Sequence, residues 1–425
     1  MCGSPVRGEQ WKLAYATEST YGTDPGTAYY INPFGVVQTA TMPDPEIEFQ
    51  PIWTLGTASK RDWYIAYKGR MALSGSIPDI WLLDGRPLRF PVGSVATTGT
   101  TKAGGSTTLN GIHAIGVTSL TVVASTDFIA GDVCQIDTGT SAECATISAV
   151  PDGTHLTLSS RTVFAHATAM AVVEKQSPYT HTISEATTLD SIALHLTIQD
   201  ADGNIELMRR FLGGKVNRAT YTAMEGDFLK MSYDEILFKN YLNNQTGEPG
   251  YNAGVADAAA ISYPTTQPYL FSYGALSLGE VGSPEFARIR GFRLSVTNNF
   301  EPKYYVTDDA IAQLPYEHRE GRREYALGCT IDIEDSTLYK ELVRQGTYST
   351  VYKGFQVVIV FTRAASDTIT FTLPSSATAT GGDAMGCLIR SAPHHIVDSP
   401  LVSVDLDIIS RGLGIVVVDS VVAYP

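Results

Sequence analysis

Charge is scarce in this chain: only 17% of its 425 residues are Asp, Glu, Lys or Arg. So thin a charged complement is low for a freely soluble monomer and implies a surface largely covered by other subunits. Basic residues are the scarcer kind, 30 against 44 acidic, for a net charge of −14. That balance argues against sequence-reading nucleic-acid binding, which needs a basic footprint, yet suits a surface that nucleic acid slides past. Long apolar runs are missing too. No stretch reaches the roughly 18 apolar residues a membrane-spanning helix needs. The five cysteines (Cys2, Cys134, Cys144, Cys329 and Cys387) form no CxxC. Cys134 and Cys144 could face each other across a hairpin, but reduced core thiols are the expectation. Residues Met1 to Gly8 lack a signal peptide's apolar core, and no apolar run precedes Cys2. We therefore expect folding in a cytoplasm and no lipid anchor.

Catalytic signatures are equally sparse. No GxSxG, HExxH or Cys-His pairing occurs. His394-His395 resembles a metal pair, but neighbouring strand residues point to opposite faces. Arg209-Arg210 and Arg322-Arg323 read as interface or solvated basic clusters. Glu334-Asp335 and the Asp405/Asp407 pair read as carboxylates on wet faces. Gly104-Gly105 and Gly381-Gly382 lack the Lys and Ser/Thr of a phosphate loop. The expectation is a protein that is not an enzyme, with no catalytic residue, no metal site and no cofactor.

What is present is a β-rich unit that occurs twice. Gly69-Arg70 to Ile77 corresponds to Gly321-Arg322-Arg323 to Ile331. Further on, Gly214 to Arg218, Leu229 and Ile236 match Gly386 to Arg390, Leu401 and Ile408 at the same spacing. Two matches in the same order indicate a duplicated domain, and duplication favours symmetric assembly. A length of 425 residues predicts about two to three domains.

Residues 1–30 read as an extended arm. Residues 31–95 and 176–245 form the first repeat, with short strands from Phe34 to Gln50, a strand over Met71–Ile77, and a turn of helix at Ile80–Arg86. A helix is predicted over Ile205–Leu212, closed by Gly213-Gly214, then a hairpin turning at Glu225-Gly226-Asp227. Residues 96–175 are nearly devoid of Lys and Arg and carry five short strands, so they read as a small inserted β domain projecting outward. Residues 246–264 read as a linker. The second repeat covers 265–425, with a helix at Ser336–Arg344. Each repeat holds a long loop at a matching place, Thr54–Lys68 and Tyr304–Arg323.

Together, Glu18 to Thr23, Phe34-Gly35-Val36-Val37, Met208 to Asn217, and Arg293 to Lys303 carry a resemblance that covers about three quarters of the chain. The sequence resembles the tail tube proteins, also called major tail proteins, of long-tailed bacteriophages and archaeal tailed viruses. The resemblance implies a mainly β fold: two tandem β-sandwich domains, each with a short flanking helix, lining a channel. It implies self-assembly into stacked rings that form a conduit for double-stranded DNA in a virion tail. The expected partners are further copies of the chain, a tape measure protein, and tail terminator and tip proteins. Two domains per chain make a pseudo-hexameric trimer the expected ring. The matching loops would then stack rings through Lys60, Arg61, Trp63, Tyr64, Asp308, Asp309, Tyr316 and Arg319. Glu225, Asp227, Asp234, Asp405 and Asp407 are the candidates for charge facing the lumen. Other virion roles (capsid decoration, baseplate) and a multi-β-domain adhesive or carbohydrate-binding protein stay open as alternatives.

Overall fold

A computed structural model describes residues 11–43, 46–53, 65–258, 261, 263–280, 285–305, 313–333, 355–375, 386–391, 394–395 and 402–424. The fold is mainly β, and among the described residues the only helical pieces are short 3₁₀ turns. The first half contains β1 (Lys12–Thr17), β2 (Glu46–Ile52), β3 (Ile65–Ala72), β4 (Ser74–Trp81) and β5 (Gly93–Thr108). Then come β6 (Ser119–Thr121), β7 (Val133–Ile136), β8 (Glu143–Asp152), β9 (His155–Leu158) and β10 (Ala171–Glu185). It closes with β11 (Ile192–Gln199), β12 (Ile205–Met224), β13 (Lys230–Leu237) and β14 (Asn240–Asn243). The second half contains β15 (Gly274–Glu280), β16 (Glu285–Thr297), β17 (Glu301–Lys303), β18 (Glu317–Arg319) and β19 (Glu324–Ile333). After these follow β20 (Phe355–Ala364), β21 (Asp367–Leu373) and β22 (Leu388–Ser391). The last are β23 (His394–His395), β24 (Val402–Ser410) and β25 (Gly414–Asp419).

The halves follow one plan. In each, the first strand pairs with a later one (β1–β11, β15–β20), which continues to β12 or β21 and then to β14 or β25, all antiparallel. In each, a second sheet pairs β4 with β13, or β19 with β24. A detached two-stranded ribbon precedes that pairing, β2–β3 in one half and β17–β18 in the other. The far half of β12 pairs with β16, so one central sheet runs β4-β13-β12-β16-β19-β24, with β22 and β23 beyond β24.

Apolar residues at alternate positions of this sheet point into a layer shared with the outer sheets, as period-two patterning requires. Rings meet across that layer: Tyr221 and Phe371 at 5.4 Å, Phe292 and Phe361 at 6.0 Å, Phe34 and Tyr233 at 5.8 Å. One apolar cluster therefore contains residues of both halves. Residues 109–172 hold a separate cluster around Leu120, Ile136, Ile147 and Leu156. The stretch 246–258 lies on the first half: Val255 is buried, Asp257 pairs with Lys12 at 3.0 Å, and the Ala256 carbonyl accepts from Arg210.

Two local expectations differ. Ile205–Leu212 is strand, not helix, because β11 and β14 flank it and satisfy its backbone on both sides. Gly213-Gly214 is the bend by which β12 passes from one sheet to the other. Gly213 has φ +66°, and a Cβ on Gly214 would lie 2.6 Å from the Ile192 carbonyl. Ile80-Trp81 likewise ends β4, and the helical turn is a 3₁₀ segment at Arg86–Arg89 with Pro87 inside it. The helix predicted at 336–344 lies outside the described residues.

The last residues are clipped into the first half. Arg89 is fully buried and donates to the Tyr424 carbonyl and to Asp190. The Tyr424 ring stacks on His181 of β10 at 3.6 Å, and β10 itself pairs with β25.

Candidate assembly surfaces

The central sheet has one buried face and one open face. Across the open face, register aligns Lys230, Thr222, Arg293, Gly328 and Asp407 in one row. The next row is Ser232, Thr220, Ser295, Ala326, Ile409 and Leu388. Small and hydroxylated side chains thus floor the middle of the sheet, and charge stands on it in pairs. Asp234 accepts from Thr220 at 2.6 Å and lies 4.0 Å from Arg218. Asp405 accepts from Thr330 at 2.7 Å, and Asp407 pairs with Arg390 at 2.6 Å. Asp332 pairs with Arg290 at 3.1 Å. Three of the five carboxylates expected at a lumen (Asp234, Asp405 and Asp407) therefore share one face of one sheet. Glu225 and Asp227 sit at the β12–β13 turn, where Asp227 pairs with Lys230 at 2.6 Å and that hydrogen bond lowers its pKa. Paired acids of this kind present dipoles more than bare negative charge.

The two ribbons differ sharply in exposure. β17–β18 and its flanks are tied down on the first half. Phe300 N–H donates to Asn217 Oδ1 at 2.8 Å, and Leu189 N–H donates to Glu320 at 2.8 Å. Tyr21 Oη and His318 Nδ1 lie 2.7 Å apart, with His318 buried. Burial, aided by the charges of Lys215 and Lys239, pushes the His318 pKa down to about 4. Tyr316 lies under Lys239 Nζ at 5.4 Å and meets Tyr305 edge-on, while Arg319 pairs with Glu317 at 2.8 Å.

The β2–β3 ribbon is anchored at its base by buried Met71, which bonds to Tyr304 and Gln313, while its outer part stands in solvent. Phe49 is 60% exposed, Trp53 62% and Tyr67 55%. A lone two-stranded ribbon is marginal in water, and one carrying large apolar groups on its surface needs a cover. Of the loop residues expected to stack rings, Tyr316 and Arg319 are placed as above. Lys60, Arg61, Trp63, Tyr64, Asp308 and Asp309 lie outside the described residues.

Sequence reasoning passed over the carboxylate that anchors the arm. Buried Glu18 accepts from the Gly22 and Gly213 amides and from Ser191. Burial raises its pKa. Its only sequence signal is a lone acid between the β-patterned Tyr15 and the Tyr21-Gly22 turn. Among the described residues no group of His, Cys, Asp and Glu could hold a metal ion. Cys134 and Cys144 are buried free thiols, their pKa values pushed up to about 12 by burial. They stand on successive rungs of the β7–β8 ladder, opposite Ala145 and Gln135, and so point to opposite faces.

A family model described as phage tail tube protein matches residues 8–393. A search of curated proteins finds no match.

Proposed function

Because this chain belongs to the phage tail tube protein family, a structural component of the virion tail, we propose that it builds the tube as stacked rings and that double-stranded DNA passes through them. The observation that carries this reading is the central sheet, which runs through both halves; among the described residues its outer strands are covered only in part, β4 by bridges from Val36 and Thr41 and β24 by the short β22 and β23. Such edges are liabilities unless they close into a barrel. Each chain brings two sandwich repeats, so three chains complete a ring of pseudo-sixfold symmetry.

The open face of the central sheet is the proposed lumen wall. Its Thr, Ser, Gly and Ala floor offers phosphates little to hold, and three of its arginines, 218, 290 and 390, are engaged by carboxylates, while Arg293 is exposed. An arginine already neutralised releases few counterions on meeting DNA, which keeps transit from being trapped. Tape measure and terminator or tip proteins are the proposed partners inside and at the ends of the tube. The loop tips, including Lys60, Arg61, Trp63, Tyr64, Asp308 and Asp309, are the proposed contacts between rings.

Negative-stain microscopy with mass determination on the same purified sample tests the assembly. Hollow tubes with three chains per ring are expected. Six chains per ring would leave the tube but remove pseudo-sixfold symmetry, and a persistent monomer even after seeding with tail-tip complexes would end the reading.

A further inference from the structure

We propose that neighbouring copies join by strand addition: β23 of one copy lies antiparallel to residues 40–42 of the next, with His395 opposite Thr41. The inference rests on the tube reading and names the two edges, and the register, through which one copy meets another.

The receiving edge is incomplete within the chain. Residues 36–42 run antiparallel beside β4, with Val36 bonded to Trp81 and Thr41 to Ser76. Thr41 exchanges both its N–H and its C=O with Ser76, so the amides of Ala40 and Met42 on either side point away from β4. Neither amide has a partner among the described residues. The second half holds the same strand in finished form. Gly75 faces Ile236 as Leu327 faces Ile408, so Ser76 matches Gly328 one residue on. Thr41, which faces Ser76, therefore matches Arg293 of β16, which faces Gly328. β12 covers the far side of β16, and there Phe292 and Leu294 are buried. Their counterparts Ala40 and Met42 are only half-buried. An open groove lined by Trp11, Leu13, Val37, Ala40, Met42 and Tyr263 runs beside them. The matching groove along β15 and β16 is walled by Glu225 of the first half's β12–β13 turn, whose N–H donates to the Arg290 carbonyl at 3.1 Å.

The inserting edge is the second half's version of β12. Val216 faces Ile236 as Ile389 faces Ile408, and each strand then bulges by one residue, at Asn217 and at Arg390. Each also enters the sheet from a pairing with an outer strand, Gly214 with Ile192 and Cys387 with Phe355. The count from Val216 to Thr222 is the count from Ile389 to His395, the last residue of β23. β12 has β13 on one side and β16 on the other, whereas β22 and β23 pair only with β24 among the described residues. Within the chain Thr222 faces Arg293. The same junction between two copies sets His395 opposite Thr41 and His394 opposite Met42. The occupant of the open edge is thus a second copy of this chain, and a head-to-tail contact of this kind can close into a ring. Only backbone edges are used, so the open face of the sheet continues across the junction.

Disulfide trapping reads the register. Because Thr41 spends its backbone bonds on Ser76, it would meet His395 as a non-hydrogen-bonded pair, Cα atoms about 4.5 Å apart and within disulfide reach. A chain carrying Thr41→Cys and His395→Cys is assembled, oxidised and run on a denaturing gel beside the parent chain. A control carries Thr39→Cys and His395→Cys, a diagonal pair about 7–8 Å apart and too distant to bridge. Covalent multimers are expected from the first pair, at least about tenfold above the control. Tubes whose Thr41 pair stays monomeric on the gel, or links no better than the control, would overturn the proposal and leave the tube reading standing. If the cysteines block assembly, hydrogen exchange on the parent chain decides. Amides of residues 36–42 should slow at least about tenfold from monomer to tube, and unchanged exchange there would overturn the pairing. A parent chain that forms no rings would overturn the tube reading, and this inference with it.

Discussion

The two halves share a strand plan but differ at two places, and the differences are informative together. Between β4 and β11 the first half carries the 3₁₀ turn and the strands β5 to β10; the second half has only residues 334–354 there. The first half's ribbon is held at Met71 by Tyr304 and Gln313 but exposes Phe49, Trp53 and Tyr67, whereas the second half's is seated at His318 and exposes Tyr305 and Tyr316 beside it. In the ring proposed above, the β12–β16 junction would supply within one chain the contact that joins two such halves.

The comparison breaks most strongly at the shared core. Replacing Tyr221 or Phe371 by Ala should cost about 3–5 kcal/mol. Calorimetry should show both halves melting in one lowered transition, since their side chains meet across one layer; two separate transitions would mean independent domains.

Acid should act on the seated ribbon next. His318 is held neutral, with its pKa down to about 4 from an ordinary 6.5. A depressed histidine contributes stability that is present above the unfolded value and lost as pH falls through the folded one, here between 6.5 and 4. Protonating it within the fold costs about 3 kcal/mol. Stability should therefore fall across that window, and His318→Asn should flatten the fall measured by denaturant titration at several pH values.

The insert should break alone. His166 lies between Glu143 at 2.6 Å and Asp137 at 3.3 Å. Burial pulls its pKa down, but the bonds and charges of those two carboxylates outweigh burial and raise it. Glu143→Gln should cost about 1–3 kcal/mol, with hydrogen exchange rising over residues 109–172 and not in the central sheet. The smallest effect belongs to the exposed pair on the open face. Asp407→Asn should change the melting free energy by less than about 1 kcal/mol, and assembly should persist; loss of rings would place Asp407 in a contact instead.

Much of this architecture was legible because half-buried strands alternate. In β20, β21 and β24 apolar side chains recur at every second position, the alternation that marks a half-buried strand. The stretch 109–172, which holds its own apolar cluster, stood out by its lack of Lys and Arg. Ile205–Leu212 misled because Ile205, Met208 and Leu212 fall at helical spacing before a double glycine, and only tertiary pairing reveals a bend between sheets. Asp234, Asp405 and Asp407 could be placed on a face by alternation, but their pairing with Arg218, Thr330 and Arg390 depends on the register between strands, which neither strand shows alone. The asymmetry of the ribbons was illegible for the same reason: it depends on which neighbour each one meets.

The pairing of β10 with β25 has a kinetic side. It joins residues around 180 to residues around 417, and Tyr424 then locks over His181. Ordering so long a loop comes late in folding, since its entropy is lost before the contacts return it. During synthesis the first half thus waits, its outer sheet unfinished, until β25 has emerged to pair with β10.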